Sequence, residues 1–488
     1  MTADREQSVV EQVPKGLWIG GGTHPAAGGA TLAVTDPSTG EVLAEVADAS
    51  VEDGRAALDA AVDVQGSWAA TPPRERGEIL RRAFEMMTAR ADDLALLMTL
   101  EMGKPIPESR GEVTYAAEFF RWFSEEAVRI AGSWSTSPDG ATRLLTMKRP
   151  VGPALMITPW NFPLAMGTRK IGPAVAAGCT MVVKPAAQTP LSMYALADIL
   201  REAGLPDGVL NVVTTSSSGK VMEPLIRDSR LRKLTFTGST VVGRRLVEQS
   251  AEQLLRVSME LGGNAPFLVM ADADMDAAVD GAMVAKMRNM GEACTAANRF
   301  LVHESVADEF AQRMAGRMGS LRVGRGTEEG VQVGPLVDAV SRDKVAELVQ
   351  DAVNRGGRVL TGGDTVGDRG WFYSPTVVAD VPTDAVLQTE EIFGPVAPVS
   401  TFATLDEAIG RANDTEYGLV AYAYTRDLAT ALSLAEQLDT GMVGINQGVV
   451  STPAAPFGGV KQSGFGREGG REGIEEYLET RYVGIRPQ

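Results

Sequence analysis

The chain has 488 residues, with 46 lysines and arginines against 63 aspartates and glutamates, which gives a formal net charge of −17 at pH 7. Such an acidic chain is not expected to bind nucleic acid, because that function needs a basic surface. Hydrophobic residues make up 44% and charged residues 22% of the sequence, the composition of a globular protein, and the length suggests about three structural units.

The first part of the chain has a helical pattern. Over residues 50–130, apolar residues recur at helical spacing, and the segment Pro73–Arg90 begins with a proline, which favours a helix start. From about Val151 onward, short apolar runs alternate with helix-like segments of about 10–15 residues. This alternation resumes from about Ala265 to Thr440 and is typical of βαβ units, so we predict two successive α/β domains with parallel sheets.

Two further segments do not follow this alternation. Thr142–Arg149 and Leu478–Ile485 are strand-like, but neither has a neighbouring strand in the sequence. An unpaired strand can add to the edge of a sheet in another subunit. We therefore predict a small β extension that joins subunits, in a homodimer or a homotetramer.

Cysteine and histidine are scarce, which excludes several kinds of active site. Cys179, Cys294, His24 and His303 are far apart and form no CxxC pair, so we expect no metal site. Neither histidine has a context that favours a Ser-His-Asp triad. With no basic and apolar leader and no apolar run of about 18 residues, we expect a cytoplasmic protein that does not associate with membranes.

A few short segments contain residues that could take part in chemistry. Cys294 has small and polar neighbours, typical of an accessible thiol, whereas Cys179 lies in an apolar run that suits a buried side chain. Glu260 precedes two glycines, and Asn161 lies on a loop between two prolines; a solvated glutamate and a turn asparagine are the ordinary alternatives. Gly238–Gly243 follows a predicted strand and begins a helix, a position that favours phosphate, although it is not a GxGxxG motif.

Taken together, the segments form the pattern of a family. The chain contains, in this order, ITPWNFP, KPAAQTP, FTGST, MELGGNAP, GEAC, EEIFGP and PFGGVKQSGFGREGG. Over roughly residues 15–488 it resembles the NAD(P)-dependent aldehyde dehydrogenase superfamily. Within that superfamily, GTRKIGPA, MRNMGEAC and NQGVVSTPAAPFGG are most similar to succinate-semialdehyde dehydrogenases.

The resemblance implies a fold of three parts. We expect an α/β fold with a Rossmann-like cofactor-binding domain, a second α/β domain that is catalytic, and a small β oligomerisation extension. The predicted boundaries are 1–131 and 151–262 for the cofactor domain, 263–470 for the catalytic domain, and 132–150 and 471–488 for the extension.

The resemblance also implies covalent catalysis by cysteine. Cys294 matches the nucleophile, whose thiolate attacks the aldehyde and forms a thiohemiacetal that is oxidised to a thioester. The Asn161 amide and the Cys294 main-chain N–H would form the oxyanion hole. Glu260 matches the general base that activates water for hydrolysis of the thioester. This set of groups needs neither a histidine nor a metal.

A dinucleotide site is the third implication of the resemblance. Lys184 would hold the adenosine ribose, and the other residues that match the cofactor site are Trp160, Gly238, Ser239, Leu261, Glu391 and Phe393. Many NAD-preferring members have a glutamate where this chain has Ala187, and a carboxylate there would repel a 2′-phosphate. We therefore predict that NADP is the preferred cofactor and that NAD also binds.

The substrate follows from three polar residues. Arg169, Arg288 and Ser451 match the residues that bind the distant carboxylate of the substrate, although arginines in general are more often solvated or paired locally. The resemblance thus implies oxidation of succinate semialdehyde to succinate. Alternatives are a dehydrogenase for glutarate semialdehyde or for a range of aldehydes, and a relative that binds the cofactor without catalysis.

Overall fold

Helices are distributed along the whole chain of the computed structural model, which describes residues 2–487. The α-helices are α1 Ala3–Glu11, α2 Val51–Ala70, α3 Pro73–Ala89, α4 Ala91–Met102, α5 Ile106–Glu126, α6 Ala165–Ala177, α7 Leu191–Glu202, α8 Ser218–Ile226, α9 Thr240–Ser250, α10 Met275–Met287, α11 Ala307–Gly319, α12 Ala339–Asn354, α13 Leu405–Asn413, α14 Leu428–Gln437 and α15 Glu472–Glu475. Short 3-10 helices cover Ala127–Arg129, Ala251–Gln253, Arg288–Gly291, Val386–Gln388 and Lys461–Ser463. Among residues 2–487, no helix has the length and apolar character needed to cross a membrane.

The strands form four sheets. They are β1 Leu17–Ile19, β2 Gly22–His24, β3 Thr31–Thr35, β4 Val42–Ala47, β5 Ser133–Thr136, β6 Arg143–Pro150, β7 Ala154–Ile157, β8 Met181–Lys184, β9 Leu210–Val212, β10 Lys233–Thr237, β11 Arg256–Glu260, β12 Ala265–Val269, β13 Ala297–His303, β14 Arg358–Thr361, β15 Thr376–Ala379, β16 Val396–Phe402, β17 Val420–Tyr424, β18 Met442–Ile445, β19 Gly464–Phe465 and β20 Leu478–Ile485. Strands β3 and β4 pair with each other as a separate two-stranded sheet.

The largest sheet has the order β19-β11-β10-β7-β8-β9-β1-β2. Its strands from β11 to β9 are parallel to one another, whereas β19 is antiparallel to β11, β1 to β9 and β2 to β1. Every residue of β7, β8 and β10 is buried, as expected for strands covered on both faces by helices. The predicted parallel α/β sheet is confirmed. Its strands β7, β10 and β11 end at one edge, where open α/β sheets bind ligands.

A second large sheet follows in the chain. Its order is β14-β15-β16-β13-β12-β17-β18, and only β14 is antiparallel to its neighbour. Aromatic rings fill the core beside it, with Phe267 and Tyr424 stacked at 5.1 Å between ring centroids. This sheet matches the second stretch of alternating strands and helices in the sequence.

The two strands without sequence neighbours pair with each other. Leu478 to Ile485 lie antiparallel to Pro150 to Arg143 over eight residue pairs, and β5 adds a third strand on the other side of β6. The three-stranded sheet exposes large apolar side chains, namely Trp134 (63% exposed), Tyr482 (61%) and Met147 (44%). The segments are therefore strands, as expected, but their first partner is within the same chain.

One strand from the segment predicted as catalytic domain pairs with the first sheet. Strand β19 adds to the first sheet beside β11, so that Gly464 is opposite Glu260. Gly464 has φ +107°, and a Cβ at this position would lie 2.0 Å from the Met259 main-chain oxygen, so only glycine allows this approach. The C-terminal Gly-rich segment thereby reaches the end of β11. The domain boundaries themselves stay a prediction.

Candidate active site

A cavity of about 290 Å³ lies where β7, β10 and β11 end. It brings together the three predicted catalytic residues, Asn161, Glu260 and Cys294, from distant parts of the sequence. Its lining consists of Pro159, Trp160, Asn161, Phe162, Met166, Thr237, Gly238, Ser239, Glu260, Leu261, Gly262, Cys294, Ser341, Lys344, Glu391 and Phe393. A thiol, a carboxyl group and an amide therefore share one cavity.

Cys294 lies in the loop between a 3-10 helix and β13, with part of its surface exposed. Burial by the surrounding protein raises the pKa of its thiol to about 12, Arg169 opposes this shift, and the carboxyl groups of Glu391 and Glu260 add to it. The thiol is thus protonated at neutral pH before substrate binds. Gly263 packs closely against this loop, since a Cβ there would be 2.7 Å from the Cys294 main-chain oxygen.

Glu260 is the last residue of β11 and is only 4% exposed. Burial and the neighbouring Glu468 carboxylate raise its pKa well above the usual value for glutamate, against the opposing charges of Arg169 and Lys170. Its Oε2 atom has no hydrogen-bond partner among the described residues. A raised pKa makes a carboxylate a stronger base, which suits proton removal from water or from a thiol.

Asn161 is held from both its side chain and its main chain. Its Nδ2 donates to the Glu292 main-chain oxygen at 2.9 Å, which leaves the second Nδ2 hydrogen for another acceptor. Its main-chain oxygen accepts hydrogen bonds from Lys104 Nζ at 2.7 Å and from Asn289 Nδ2 at 3.1 Å. Lys104 is buried in an ion pair with Glu112. The role of Asn161 in an oxyanion hole stays a prediction, but this asparagine has a fixed position beside Cys294.

A buried cluster of charges adjoins Glu260. Glu468 forms an ion pair with Lys170 through its Oε1 atom. Its Oε2 atom lies 2.7 Å from Arg169 Nη2. Lys170 also donates to Thr235 Oγ1 at 2.9 Å. The two cations keep the pKa of Glu468 below its usual value despite burial. Glu468 and Lys170 were not predicted as site residues, although both belong to segments typical of the family, FGREGG and GTRKIGPA.

The position of Arg169 differs from the predicted one. As a ligand of the substrate carboxylate, this arginine is expected in the wall of a cavity, but its side chain is 2% exposed and lines neither this cavity nor the next one. Its guanidinium lies 3.9 Å from the Phe457 ring centroid and pairs with Glu468. Burial opposes the charge of Arg169, but Glu468 raises its pKa. The charge is thus paired within the protein, although Arg169 Nε has no hydrogen-bond partner among the described residues, and it lowers the pKa of the Cys294 thiol.

Arg288 has the surroundings predicted for a carboxylate ligand. It lines a second cavity, of about 590 Å³, together with Tyr115, Phe162 and Ser451. Its Nη1 lies 3.4 Å from Ser451 Oγ, and its guanidinium lies 5.0 Å from the Phe162 ring centroid. Glu108 also lines this cavity, but no carboxylate within residues 2–487 forms an ion pair with Arg288. Phe162 lines both cavities, so the two adjoin at its ring.

Six of the predicted cofactor residues line the first cavity. These are Trp160, Gly238, Ser239, Leu261, Glu391 and Phe393. The Trp160 and Phe393 rings meet edge to face, with 5.4 Å between their centroids. Burial raises the pKa of Glu391 to about 7, although the Gly263 N–H donates a hydrogen bond to its carboxylate. Gly238 and Ser239 directly precede α9 and bring its amino end, which favours phosphate, to the cavity. Apolar rings and a helix N-terminus in one cavity fit a dinucleotide.

Lys184 and Ala187 lie outside this cavity lining. Lys184 is the last residue of β8, and burial lowers the pKa of its ammonium group to about 8. In the described part of the chain, no carboxylate forms an ion pair with it. Ala187 lies in the following loop and is partly exposed. A lysine three residues before a small neutral side chain is compatible with a 2′-phosphate, and the roles of both residues stay predictions.

Comparisons with known proteins agree with this geometry. The profile of the aldehyde dehydrogenase family matches residues 24–483. A succinate-semialdehyde dehydrogenase of Paenarthrobacter nicotinovorans is 61% identical over 91% of this chain and 99% of its own length. A glutarate-semialdehyde dehydrogenase of Pseudomonas putida is 49% identical over 96% of this chain and 97% of its own length.

The solved structures give the same result for the fold. The crystal structure of an NADP-dependent enzyme of E. coli superposes with a TM-score of 0.96 at 48% identity, covering 97% of this chain and 98% of that one. The expected aldehyde dehydrogenase fold is thereby confirmed. The family match over most of the sequence and the shared fold lead to one conclusion: the chain belongs to the aldehyde dehydrogenase family.

Proposed function

We propose that this protein oxidises succinate semialdehyde to succinate with NADP as the electron acceptor. The observation that carries this proposal is the position of Arg288. Its charge forms no ion pair within residues 2–487, and its cavity adjoins the one that contains Cys294. A short aldehyde with a carboxylate at its far end can therefore contact both residues. The relative from Paenarthrobacter nicotinovorans has this activity in its name.

The proposed reaction begins with the Cys294 thiol. Because burial raises its pKa, the thiol is protonated at rest; part of its surface is exposed, and its proton leaves to solvent as the sulfur attacks the aldehyde carbon. The free Nδ2 hydrogen of Asn161 then stabilises the oxyanion of the thiohemiacetal. Bound NADP supplies the hydride acceptor for the oxidation to a thioester. Glu260 then removes a proton from water, and the water oxygen attacks the thioester carbon; the C–S bond breaks, the proton passes from Glu260 to the Cys294 sulfur, and succinate leaves.

The preference for NADP rests on charge. Lys184 forms no ion pair in the part of the chain described here, and Ala187 adds no negative charge in the following loop. A 2′-phosphate next to a cation is stabilised, whereas a carboxylate at position 187 would repel it. The structural relative from E. coli is described as NADP dependent. NAD is expected to bind more weakly, as the second acceptor.

Glutarate semialdehyde is the second candidate substrate. It has the same two functional groups with one additional methylene, and a relative from Pseudomonas putida is named for it. The cavity beside Arg288, at about 590 Å³, has room for the longer chain. One methylene in an apolar pocket changes specificity by about 1–3 kcal/mol, so we expect activity with both semialdehydes and a preference for the shorter one.

We also propose that the protein is a homo-oligomer that associates through the three-stranded sheet. This sheet exposes Trp134, Met147 and Tyr482, and large apolar side chains at a sheet surface are typical of subunit contacts. Light scattering should give the mass of a dimer or a tetramer. A mass of one chain at micromolar concentration would contradict the proposal.

A steady-state assay of NADPH formation tests the function. Succinate semialdehyde, glutarate semialdehyde and butanal are compared with NADP and with NAD. We expect the highest kcat/KM for succinate semialdehyde with NADP and the lowest for butanal, because butanal has no carboxylate for Arg288. Equal values for butanal and succinate semialdehyde would favour a broad-range aldehyde dehydrogenase. No reaction with any aldehyde would favour a relative that binds the cofactor without catalysis.

A further inference from the structure

The segment before Cys294 has an uncommon backbone conformation. Asn289 and Met290 have φ values of +54° and +55°, and Gly291 follows with +81°. Asparagine tolerates this left-handed region better than most residues, but glycine tolerates it better still. The backbone alone therefore does not require an asparagine at position 289, and its side chain needs a separate explanation.

The Asn289 side chain connects two segments of the active site. It is fully buried, and its Nδ2 donates to the main-chain oxygen of Asn161 at 3.1 Å and to that of Glu292 at 2.9 Å. Asn161 Nδ2 donates to the same Glu292 oxygen at 2.9 Å. A carboxamide has two hydrogens on nitrogen, so Asn289 uses both on these two carbonyls, whereas Asn161 keeps one free.

Both connected segments are also fixed to other parts of the protein. Lys104 donates to the Asn161 oxygen at 2.7 Å from its buried ion pair with Glu112. Glu292, two residues before Cys294, accepts a hydrogen bond from the Val337 N–H at 3.1 Å. The Asn289 carboxamide thus adds a second link, beside the Asn161 Nδ2 hydrogen bond to Glu292, between one anchored segment that contains Asn161 and another that leads to Cys294.

We propose that Asn289 is a positioning residue that holds the Asn161 amide at its working position relative to Cys294, an inference that rests on the proposed function. An oxyanion donor is effective only where it meets the oxygen of the tetrahedral intermediate at hydrogen-bond distance. Without the Asn289 carboxamide, only the hydrogen bond from Asn161 Nδ2 to the Glu292 main-chain oxygen remains of these links, and the Asn161 loop and the Cys294 segment can shift relative to each other. Catalysis then loses part of the stabilisation that Asn161 provides, while the substrate carboxylate is still bound by Arg288.

Two variants separate the side chain from the backbone conformation. Asn289→Gly keeps the left-handed conformation without strain and removes both donors, and Asn289→Asp keeps the shape but replaces the donating nitrogen by an acceptor. We expect both to lower kcat for succinate semialdehyde by about ten- to a hundredfold, less than the about 10²–10³ lost with an oxyanion donor itself. KM should change by less than about threefold, because the carboxylate contact is intact.

The decisive test repeats the substitution without Asn161. If Asn289 acts through Asn161, then Asn289→Gly in an Asn161→Ala background should lower kcat by no more than about twofold further. An additive loss in that background would overturn the proposal, and so would a single glycine variant with wild-type kcat. Should the glycine variant fail to fold, Asn289→Asp takes its place in both backgrounds, with the same expectations.

Asn211 offers a matched control. It is also fully buried, and its Nδ2 also donates to two main-chain oxygens, of Gly208 at 2.8 Å and of Met181 at 3.3 Å, but on β9 away from the cavity. Asn211→Asp should lower the melting temperature and leave kcat unchanged, whereas Asn289→Asp should lower kcat. Equal effects of both on kcat would overturn the proposal. A wild-type protein that oxidises no aldehyde would instead refute the proposed function, which the wild-type assay reveals separately.

Discussion

Arg288→Met tests whether this arginine binds the substrate carboxylate. Methionine keeps much of the length of the side chain and its packing against the Phe162 and Tyr115 rings, but it removes the charge. A hydrogen bond to a charged group is worth about 1.5–3 kcal/mol. Arg288 is partly exposed, so water screens part of the interaction, and the lower half of that range applies. At 1.4 kcal/mol for each factor of ten, kcat/KM for succinate semialdehyde should fall about ten- to fortyfold.

The assay compares two aldehydes of equal length. Butanal lacks the carboxylate, so its kcat/KM should change by less than about threefold in Arg288→Met. Arg169→Met is the matched comparison, because Arg169 is already paired with Glu468. Its loss leaves a buried carboxylate with one partner fewer, so both aldehydes and the melting temperature should be affected together. Equal losses on both aldehydes in Arg288→Met would refute the assignment of Arg288 to the carboxylate.

Four further results are expected from the predicted catalytic residues and from the predicted cofactor residue Ala187. Cys294→Ala should leave less than about a thousandth of wild-type turnover, and equilibrium binding should show a nearly unchanged cofactor affinity. Higher residual turnover would exclude Cys294 as the nucleophile. Glu260→Gln should give a burst of NADPH followed by slow turnover in rapid mixing; loss of the burst would mean that Glu260 is already needed for attack by the thiol. Ala187→Glu should weaken NADP binding by about tenfold or more and leave NAD binding unchanged or improved. If the ratio of the NADP and NAD dissociation constants is the same in the variant and the wild type, residue 187 does not face the ribose. Burial raises the pKa of Cys294 to about 12, so the thiolate fraction without cofactor should increase about tenfold per pH unit. The rate of alkylation by iodoacetamide should increase by the same factor between about pH 6 and 9. A plateau of this rate below about pH 8 would contradict the raised pKa.

Much of the fold could be predicted from local sequence patterns. The segment Leu478–Ile485 was expected as a strand and has those bounds, and the helix predicted at Pro73–Arg90 ends one residue earlier, at Ala89. Long periodic segments of this kind carry a strong local signal. The strands between Leu17 and Ala47 were not predicted, because they are short, partly exposed and interrupted by glycines, so alternation is hard to recognise.

The candidate site could be predicted only as far as motifs identify single residues. Cys294, Glu260 and Asn161 were selected by resemblance, and the fold brings them to one cavity. The contacts of Glu468 and Asn289 arise from tertiary pairing: Glu468 meets Lys170 across almost 300 residues of sequence, and Asn289 acts on main-chain oxygens, which no side-chain motif encodes. The pairing that keeps Arg169 out of the cavities has the same origin.

The central claim is that Cys294 attacks succinate semialdehyde and becomes a thioester. The most direct measurement is mass spectrometry of Glu260→Gln protein, mixed with succinate semialdehyde and NADP and quenched in acid before hydrolysis. We expect one succinyl group on the peptide that contains Cys294, present with NADP and absent without it. An unmodified Cys294 peptide in a sample that has already formed one NADPH per chain, or a succinyl group on another residue, would contradict it.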